Sequence, residues 1–403
     1  MSSLGFQWIG HLLAEAGLGV ERFFAAEGRG RGPLLSMETE SPLSDFPLVA
    51  VSLSAESEIL ELLRCLETSG IPALRARRRP DHPRILLGGP ITSVNPRPLA
   101  PFVDAMLIGE ADETVAPAVT AFYAEGPEAW LPRVASLRGG WVPGDGSPPP
   151  ERATAARSVL PARSRLFTPG TDLFEMHLVE GVRGCPRACR FCVMARCAHG
   201  TAPPTDGPSF RVVDPERILS SIPPEAPRVG LVGAGISDHP ELPSLIRQLV
   251  SRGHGVGLSS SRADRLASHP EILEGMVRGG ARSLTTASDA LSQRLRDFLE
   301  KGIEEAELLE CARLAAVHHL DALKLYLMVG VPGETDDDVE EFASLAKRMA
   351  ALTPLVLGVA AFVPKPGTAL EAAPFLGVKG VDARLSVLRA RLGRSVEIRA
   401  SSC

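Results

Sequence analysis

Phe174-Glu-Met-His-Leu-Val-Glu-Gly-Val-Arg-Gly184-Cys185-Pro-Arg-Ala-Cys189-Arg-Phe191-Cys192 decides how this chain is read. Its first half, 174–182, is an apolar run of strand length that feeds into a tight loop opened by a glycine. Three cysteines follow at C-x3-C-x2-C spacing, with an aromatic residue before the last. Three thiolates on one loop suit a soft iron-sulfur cluster, and three ligands to a four-iron cluster leave one iron open to a small molecule. An open iron means chemistry, whereas a fourth cysteine would close the site for electron transfer.

The seven cysteines are Cys65, Cys185, Cys189, Cys192, Cys197, Cys311 and Cys403. An odd number, with four of them inside thirteen residues, favours a metal site over a disulfide framework. The alternative is a zinc site made of Cys185, Cys189, Cys192 and Cys197. Zinc sites usually come as two C-x2-C pairs well apart in sequence, so Cys197 is read as a bystander. Cys65 and Cys311 fall on apolar faces of expected helices and read as core, and Cys403 belongs to a loose end.

Beyond the cysteines, strand-like runs recur at 228–234, 255–260, 282–287, 321–329 and 355–362, separated by helical patterns such as Pro240–Arg252, Glu304–Val317 and Asp336–Ala351. Six strand-helix units in about 190 residues match a partial (β/α)6 TIM-like barrel over 171–375, with catalytic groups at the C-terminal strand ends. A C-terminal helix and tail, 376–403, follow it. Residues 1–125 alternate in the same α/β manner. They show an amphipathic stretch Leu4–Ala16, a buried strand Leu48–Leu53, a helix Glu56–Thr68, a strand Arg84–Leu87 ending in Gly88-Gly89, and a strand Ala105–Ile108 ending in Gly109. Such alternation indicates a Rossmann-like parallel sheet covered on both faces. Residues 126–170, rich in Pro, Gly, Ser and Arg, read as a linker.

The 403 residues carry 44% hydrophobic and 23% charged side chains and a formal charge of −5, which describes a globular chain of two or three domains. Of 43 basic residues only five are lysine, a bias toward arginine with no basic patch. The one basic run, Arg75-Ala-Arg-Arg-Arg79, has no interleaved aromatics for stacking, so nucleic acid is not an expected partner. No run of 18 apolar residues occurs and the N-terminus lacks a signal-peptide layout, which reads as a cytoplasmic protein without a membrane span.

The cysteine spacing, placed after the first barrel strand, resembles the radical S-adenosylmethionine (SAM) superfamily. The resemblance implies a [4Fe-4S] cluster on Cys185, Cys189 and Cys192. It further implies SAM chelating the open iron through its amino and carboxylate groups, and one-electron cleavage to methionine and a 5′-deoxyadenosyl radical. Val232-Gly233-Ala-Gly235-Ile-Ser237 stands where the family binds the SAM amino group through backbone, although a lone Gly-x-Gly also reads as a turn. Ser259 and Arg262 of Ser259-Ser-Ser-Arg262 are then candidates for the SAM carboxylate or ribose. Leu284-Thr-Thr-Ala-Ser-Asp289-Ala-Leu291 resembles a segment that normally reads Ala-Pro-Glu-Ala-Gly-Ser. Here Asp289 replaces the glutamate and Leu291 the glycine, so any ribose contact falls to a shorter carboxylate. Lys324-Leu-Tyr-Leu-Met-Val-Gly330-Val-Pro-Gly333-Glu-Thr335 matches a segment that packs against the adenine, and its Glu334-Thr335 also suits a helix cap. Ala361-Phe-Val-Pro364-Lys365 resembles a loop of the methylthiotransferase-like and cobalamin-binding branch, with Lys365 placed either for an anion or for solvent.

Ser52-Leu53-Ser54 and Gly88-Gly89 resemble the tail-binding positions of cobalamin-binding Rossmann-like domains, so Ser52, Gly88 and Gly89 are candidate cobalamin contacts. The Asp-x-His-x-x-Gly element of base-off domains is absent. The domain is expected either to take cobalamin without a histidine ligand or to recognise substrate. Met1-Ser-Ser-Leu4-Gly-Phe-Gln7 resembles an internal phrase of related proteins. A gap or a closed-up sheet with its first strand missing is therefore expected, or else a true start further upstream. The implied function is C–H activation of an unknown small-molecule substrate, with a reductase such as flavodoxin or ferredoxin supplying electrons. With cobalamin the outcome is methyl transfer; without it, oxidation or rearrangement. A transfer RNA methylthiotransferase fits less well, since Cys65 is the one cysteine of the first domain. A non-enzymatic iron-sulfur carrier or sensor is the reading from another class.

Overall fold

The strands of the first domain are short apolar runs, and in the computed structural model they lie where such runs are covered on both faces. The structure describes residues 3–25, 32–144, 146–194 and 210–400. It divides into two units that meet in sequence at Arg165 and Leu166. In the first, β1 (Leu48–Ser52), β2 (Arg84–Gly88) and β3 (Ala105–Leu107) run parallel in that order, and β4 (Gly140–Trp141) adds antiparallel beyond β3. Ile85, Leu86, Leu87 and all of β3 are buried. One face packs against Leu62 and Leu66 of α2 (Glu58–Thr68). The other packs against Leu13 of α1 (Leu4–Glu15) and Val115, Ala118 and Phe122 of α3 (Val115–Glu125). Among the described residues of 3–125, three parallel strands lie side by side with no gap between them, and β1 is the edge of that sheet.

The reading of 126–170 as a linker is corrected. Pro127–Ser136 forms α4, whose Trp130 and Val134 are wholly buried, and the Trp130 indole N–H donates to the Ala118 carbonyl at 2.9 Å. Further on, Ala153 bridges Gly109 in parallel, and the Arg165 guanidinium lies 2.6 Å from His11 Nδ1. The apolar residues here are few and interrupted by proline, so they show no period. They bury because the α3 face and the edge of β3 are waiting for them, and those exist only after folding. The unit reaches Arg165, well past residue 125.

The second unit begins with β5 (Met176–Glu180), β8 (Arg228–Val232) and β9 (Gly255–Leu258), which form one parallel sheet. β10 (Ser283–Ala287), β11 (Ala322–Val329), β12 (Leu355–Ala361) and β13 (Glu397–Ala400) form another. The Ser261 N–H donates to the Thr285 carbonyl at 2.9 Å and links the two arcs. The six expected strands all occur. The tail, however, is more than a tail: after α12 (Val378–Leu392), β13 pairs parallel with β12 and becomes a seventh strand of the arc. Four residues that alternate charged and apolar are too short to announce a strand, and an exposed edge on β12 is what orders them. Outer positions Leu323, Leu325, Leu327 and Val329 of β11 are buried, in a strand that touches α10 (Glu305–Val317) and α12. No helix among the described residues is long and apolar enough to cross a membrane.

Candidate functional site

The cysteine loop leaves β5 at a buried carboxylate. Arg183 donates to both oxygens of Glu180, at 2.7 and 2.8 Å, and Gly184 at φ +82° turns the chain into Cys185. Antiparallel pairing of β6 (Val182–Arg183) with β7 (Arg211–Val212) closes the base of the loop. Cys189 is buried, Cys185 and Cys192 half-buried, and the Cys192 N–H donates to the Cys189 carbonyl at 3.0 Å. Arg190 pins the loop to the end of α9 (Gln293–Phe298). Its N–H donates to Leu299 O at 3.0 Å, its guanidinium donates to Phe298 O at 3.1 Å, and its cation lies 4.6 Å from the Phe298 ring centroid.

Burial pushes the Cys185 and Cys189 thiols up. Cys192, as a like charge near each of them, raises both further. Among the described residues, no three His, Cys, Asp or Glu side chains close on a single ion. Three soft donors on one loop, two of them sharing the influence of the third, fit an iron-sulfur cluster. Cys197 and Cys403 lie outside the described residues.

The glycines after β8 have a packing reason of their own. A Cβ on Gly235 would stand 3.0 Å from Pro186 Cδ, 3.1 Å from Phe210 Cε2 and 3.4 Å from Cys185 Cα. One on Gly233 would stand 2.4 Å from Val182 Cγ2. Both glycines let this loop lie directly on the cysteine loop. Ser237 is buried, with its hydroxyl accepting from the Arg262 N–H at 3.1 Å and its carbonyl accepting from Arg265 Nε at 3.1 Å. It therefore ties the end of β8 to the end of β9.

A chain of ion pairs continues the tie. Arg187, inside the cysteine motif, donates Nε to Asp238 at 3.1 Å and brings Nη2 within 3.3 Å of Asp264. Arg262 grips Asp264 at 2.8 Å and donates Nη2 to the carbonyls of Lys301 at 2.9 Å and Gly302 at 3.0 Å. Lys301 in turn pairs with Asp289, which sits in the left-handed region at φ +60° and donates its N–H to Tyr326 O at 3.2 Å. Lys301 and Arg262 are near enough to Cys189 to oppose the effect of burial on its thiol. The structure thus brings Cys189, Arg262 and Asp289 together, while Ser259 is exposed at the end of β9. Sequence reasoning missed Arg187, Asp238, Asp264 and Lys301. The signal was present in part: Arg187 lies within the cysteine spacing, and both aspartates follow strand ends.

Glu334 is structural. Burial pushes its carboxyl up, it accepts from the N–H groups of Gly330 at 2.8 Å and Val331 at 3.3 Å, and it pairs with Arg384. Thr335 and Asp338 form a capping box on α11 (Asp336–Ala350). Lys365 lies in the loop after β12, where its carbonyl accepts from the Thr368 hydroxyl at 2.8 Å. In the first unit Ser52 is exposed at the end of β1, and at Gly88 nothing lies within 4 Å of where a Cβ would be. Gly89 is required by its turn, because at φ +95° a Cβ would stand 2.4 Å from Leu53 O.

Two family models match the chain. Residues 6–143 match the family described as radical SAM proteins, N-terminal, and residues 179–346 match the radical SAM superfamily, a span that runs from the end of β5 through the cysteine loop and on past β11. The chain belongs to the radical SAM superfamily. Membership implies a [4Fe-4S] cluster and SAM as its cofactors. In sequence the chain is similar to the uncharacterized protein MJ0966 of Methanocaldococcus jannaschii, 26% identical over 351 residues, covering 84% of this chain and 71% of that protein. In fold the chain is similar to the cobalamin-dependent S-adenosylmethionine radical enzyme OxsB with aqua-cobalamin and S-adenosylmethionine bound. The TM-score is 0.50 at 14% identity, over 85% of this chain and 46% of that one. The chain spans about half the length of that structure. Coproporphyrinogen III oxidase from Escherichia coli, a radical SAM enzyme, matches 42% of this chain and 41% of its own at a TM-score of 0.33 and 16% identity.

Proposed function

We propose that this radical SAM protein activates a C–H bond of a small-molecule substrate, with Cys185, Cys189 and Cys192 holding the cluster. When bound, the cluster supplies the electron that cleaves SAM to methionine and a 5′-deoxyadenosyl radical. The carrying observation is the three-cysteine loop at the end of β5, braced by charged groups from the ends of β8, β9 and β10. The chain's own residues do the positioning. Gly233 and Gly235 hold the second strand end against the loop, Ser237 and Arg262 join the second and third ends, and Asp289 with Lys301 lines the fourth. Reduction by a flavodoxin- or ferredoxin-like protein in the cytoplasm suits this chemistry.

Cobalamin in the first unit, with methyl transfer as the outcome, is the finer part of the reading. The open strand ends at Ser52 and Gly88 and the fold shared with a cobalamin-dependent enzyme support it. With no Asp-x-His-x-x-Gly sequence, such cobalamin would lack a histidine ligand from that motif. Gly89 is explained by its own turn and does not add to that support; the alternative is a domain that serves substrate, with oxidation or rearrangement as the chemistry. The test is anaerobic reconstitution followed by dithionite reduction with SAM. Release of 5′-deoxyadenosine is expected. An intact cluster with no release would leave an iron-sulfur carrier or sensor.

A further inference from the structure

The inner face of β11 carries side chains that a covered central strand does not ordinarily have. Strands in parallel sheets buried on both faces read as unbroken apolar runs. β11 lies between β10 and β12 and reads Leu323-Lys324-Leu325-Tyr326-Leu327, with every leucine buried and both intervening residues on the opposite face. Tyr326, one of two tyrosines in the chain, is 51% exposed in mid-strand. Its ring lies across Gly358 on β12, where a Cβ would come within 2.4 Å of it, so the glycine makes room for the ring. Lys324, two residues deeper and roughly 6–7 Å along the strand, is half-buried. Its side chain has no hydrogen-bond or ion-pair partner among the described residues.

The nearest carboxylate in register does not answer it. Glu397 on β13 shares the row of Lys324 through Val356, two strands and roughly 9–10 Å away. It is already held by Arg399 at 2.7 Å. On the other side the register partner of Lys324 is Thr285, which offers a hydroxyl. The backbone of Tyr326 also supports the site at the strand end, since its carbonyl accepts from the N–H groups of Ser288 at 2.9 Å and Asp289 at 3.2 Å. This wall therefore runs from the Asp289 turn down to an unanswered cation.

We propose that the inner face of β11 binds the substrate, which carries an anionic group for Lys324 and a flat apolar body for the Tyr326 ring. The proposal rests on the radical SAM reading of the same unit and names its substrate class. The anion is a carboxylate or a phosphate ester, and the experiment separates the two. Reconstituted full-length protein is treated with N-hydroxysuccinimidyl acetate in chloride, phosphate, phenyl phosphate, acetate and benzoate at one ionic strength. Acetylation at each lysine is read by peptide mass spectrometry. One anion pair should slow labelling of Lys324 at least tenfold against chloride, with Lys347 and Lys379 unchanged; the phosphate pair assigns a phosphorylated substrate, the carboxylate pair an acid. Within the protecting pair the aromatic member should act at a tenfold lower concentration, and Tyr326→Ala should erase that difference. Equal labelling in all five solutions, or no labelling of Lys324 in chloride, would overturn the proposal. Iron content and 5′-deoxyadenosine release are measured on the same preparation. Protection without release would overturn the enzymatic reading and leave the anion site standing.

Discussion

If Cys185, Cys189 and Cys192 hold the cluster as proposed, none can stand in for another, since all three come from one short loop braced by Arg183 and Arg190. Reconstituted protein should hold about four irons. Cys→Ala at all three should abolish binding, while Cys197→Ala should keep it; loss on Cys197→Ala would indicate a four-thiolate site. Asp289 pairs with Lys301 and is also the proposed SAM contact, and the two roles can be separated. Asp289→Ala leaves the Lys301 ammonium uncompensated in a mostly buried place, which should cost about 3 kcal/mol in urea unfolding. It should also weaken SAM binding by about tenfold, or 1.4 kcal/mol. Adding Lys301→Met should restore part of the stability and none of the affinity, measured by equilibrium dialysis. Affinity equal to that of the unaltered protein would make the pair a structural brace.

Cys311 on α10 is a third residue with a readable signature, for burial pushes its thiol up to about 12 from an ordinary 9.0. Above pH 9.0 the unfolded chain releases this proton while the native chain keeps it, so the native state binds more protons and stability falls as pH rises. The contribution reaches about 1.4 kcal/mol per pH unit. Cys311→Ala should flatten the loss of stability between about pH 9 and pH 10.5 in urea titrations. Parallel slopes for both proteins would sink this assignment. The sequence placed Cys311 in the core from helical spacing, and its full burial agrees.

At the scale of elements, the glycine segment after β8 packs directly on the cysteine loop. Gly235→Ala puts a Cβ against Pro186, Phe210 and Cys185, none of which is the free end of a flexible chain. A loss of about 1–3 kcal/mol is expected, with iron content falling in step, whereas an unchanged iron content would show that the loop can yield. Helices and strands with a clear period were legible before folding: the six barrel strands and the long helices stand within a few residues of their expected places. Elements with no period were not. α4 is interrupted by Pro132, and β13 is only four residues long, so neither carries a local signal that outweighs a loop reading. The alternation in β11 was in plain view, but its meaning depends on knowing that the strand is central.

For the whole molecule, the division at Arg165 has a direct consequence. Residues 166–403 contain the three cysteines and every barrel strand, so this fragment expressed without the first unit should fold and accept about four irons. A fragment that precipitates or stays iron-free would show that the first unit is needed to complete it. In the full chain, hydroxocobalamin should bind near one per chain with a spectrum lacking histidine ligation. Saturating cobalamin without binding would remove methyl transfer from the reading.

The amino-acid sequence by itself determined the class of chemistry and the order of strands, because both depend on local spacing: three thiols within eight residues and apolar runs at the length of one crossover. It did not determine where the first unit ends, which side chains surround Cys189, or what faces the barrel interior. Arg187, Asp238, the Arg262–Asp264 pair, Asp289 and Lys301 come from loops after β5, β8, β9 and β10 and from the turn after α9, and they meet only when a parallel arc sets those ends side by side. Ion pairs that join residues 12, 51 and 77 positions apart have no periodic trace in a linear chain. Tertiary structure decided it, since ion pairing depends on distance in space and local pattern only on distance along the chain.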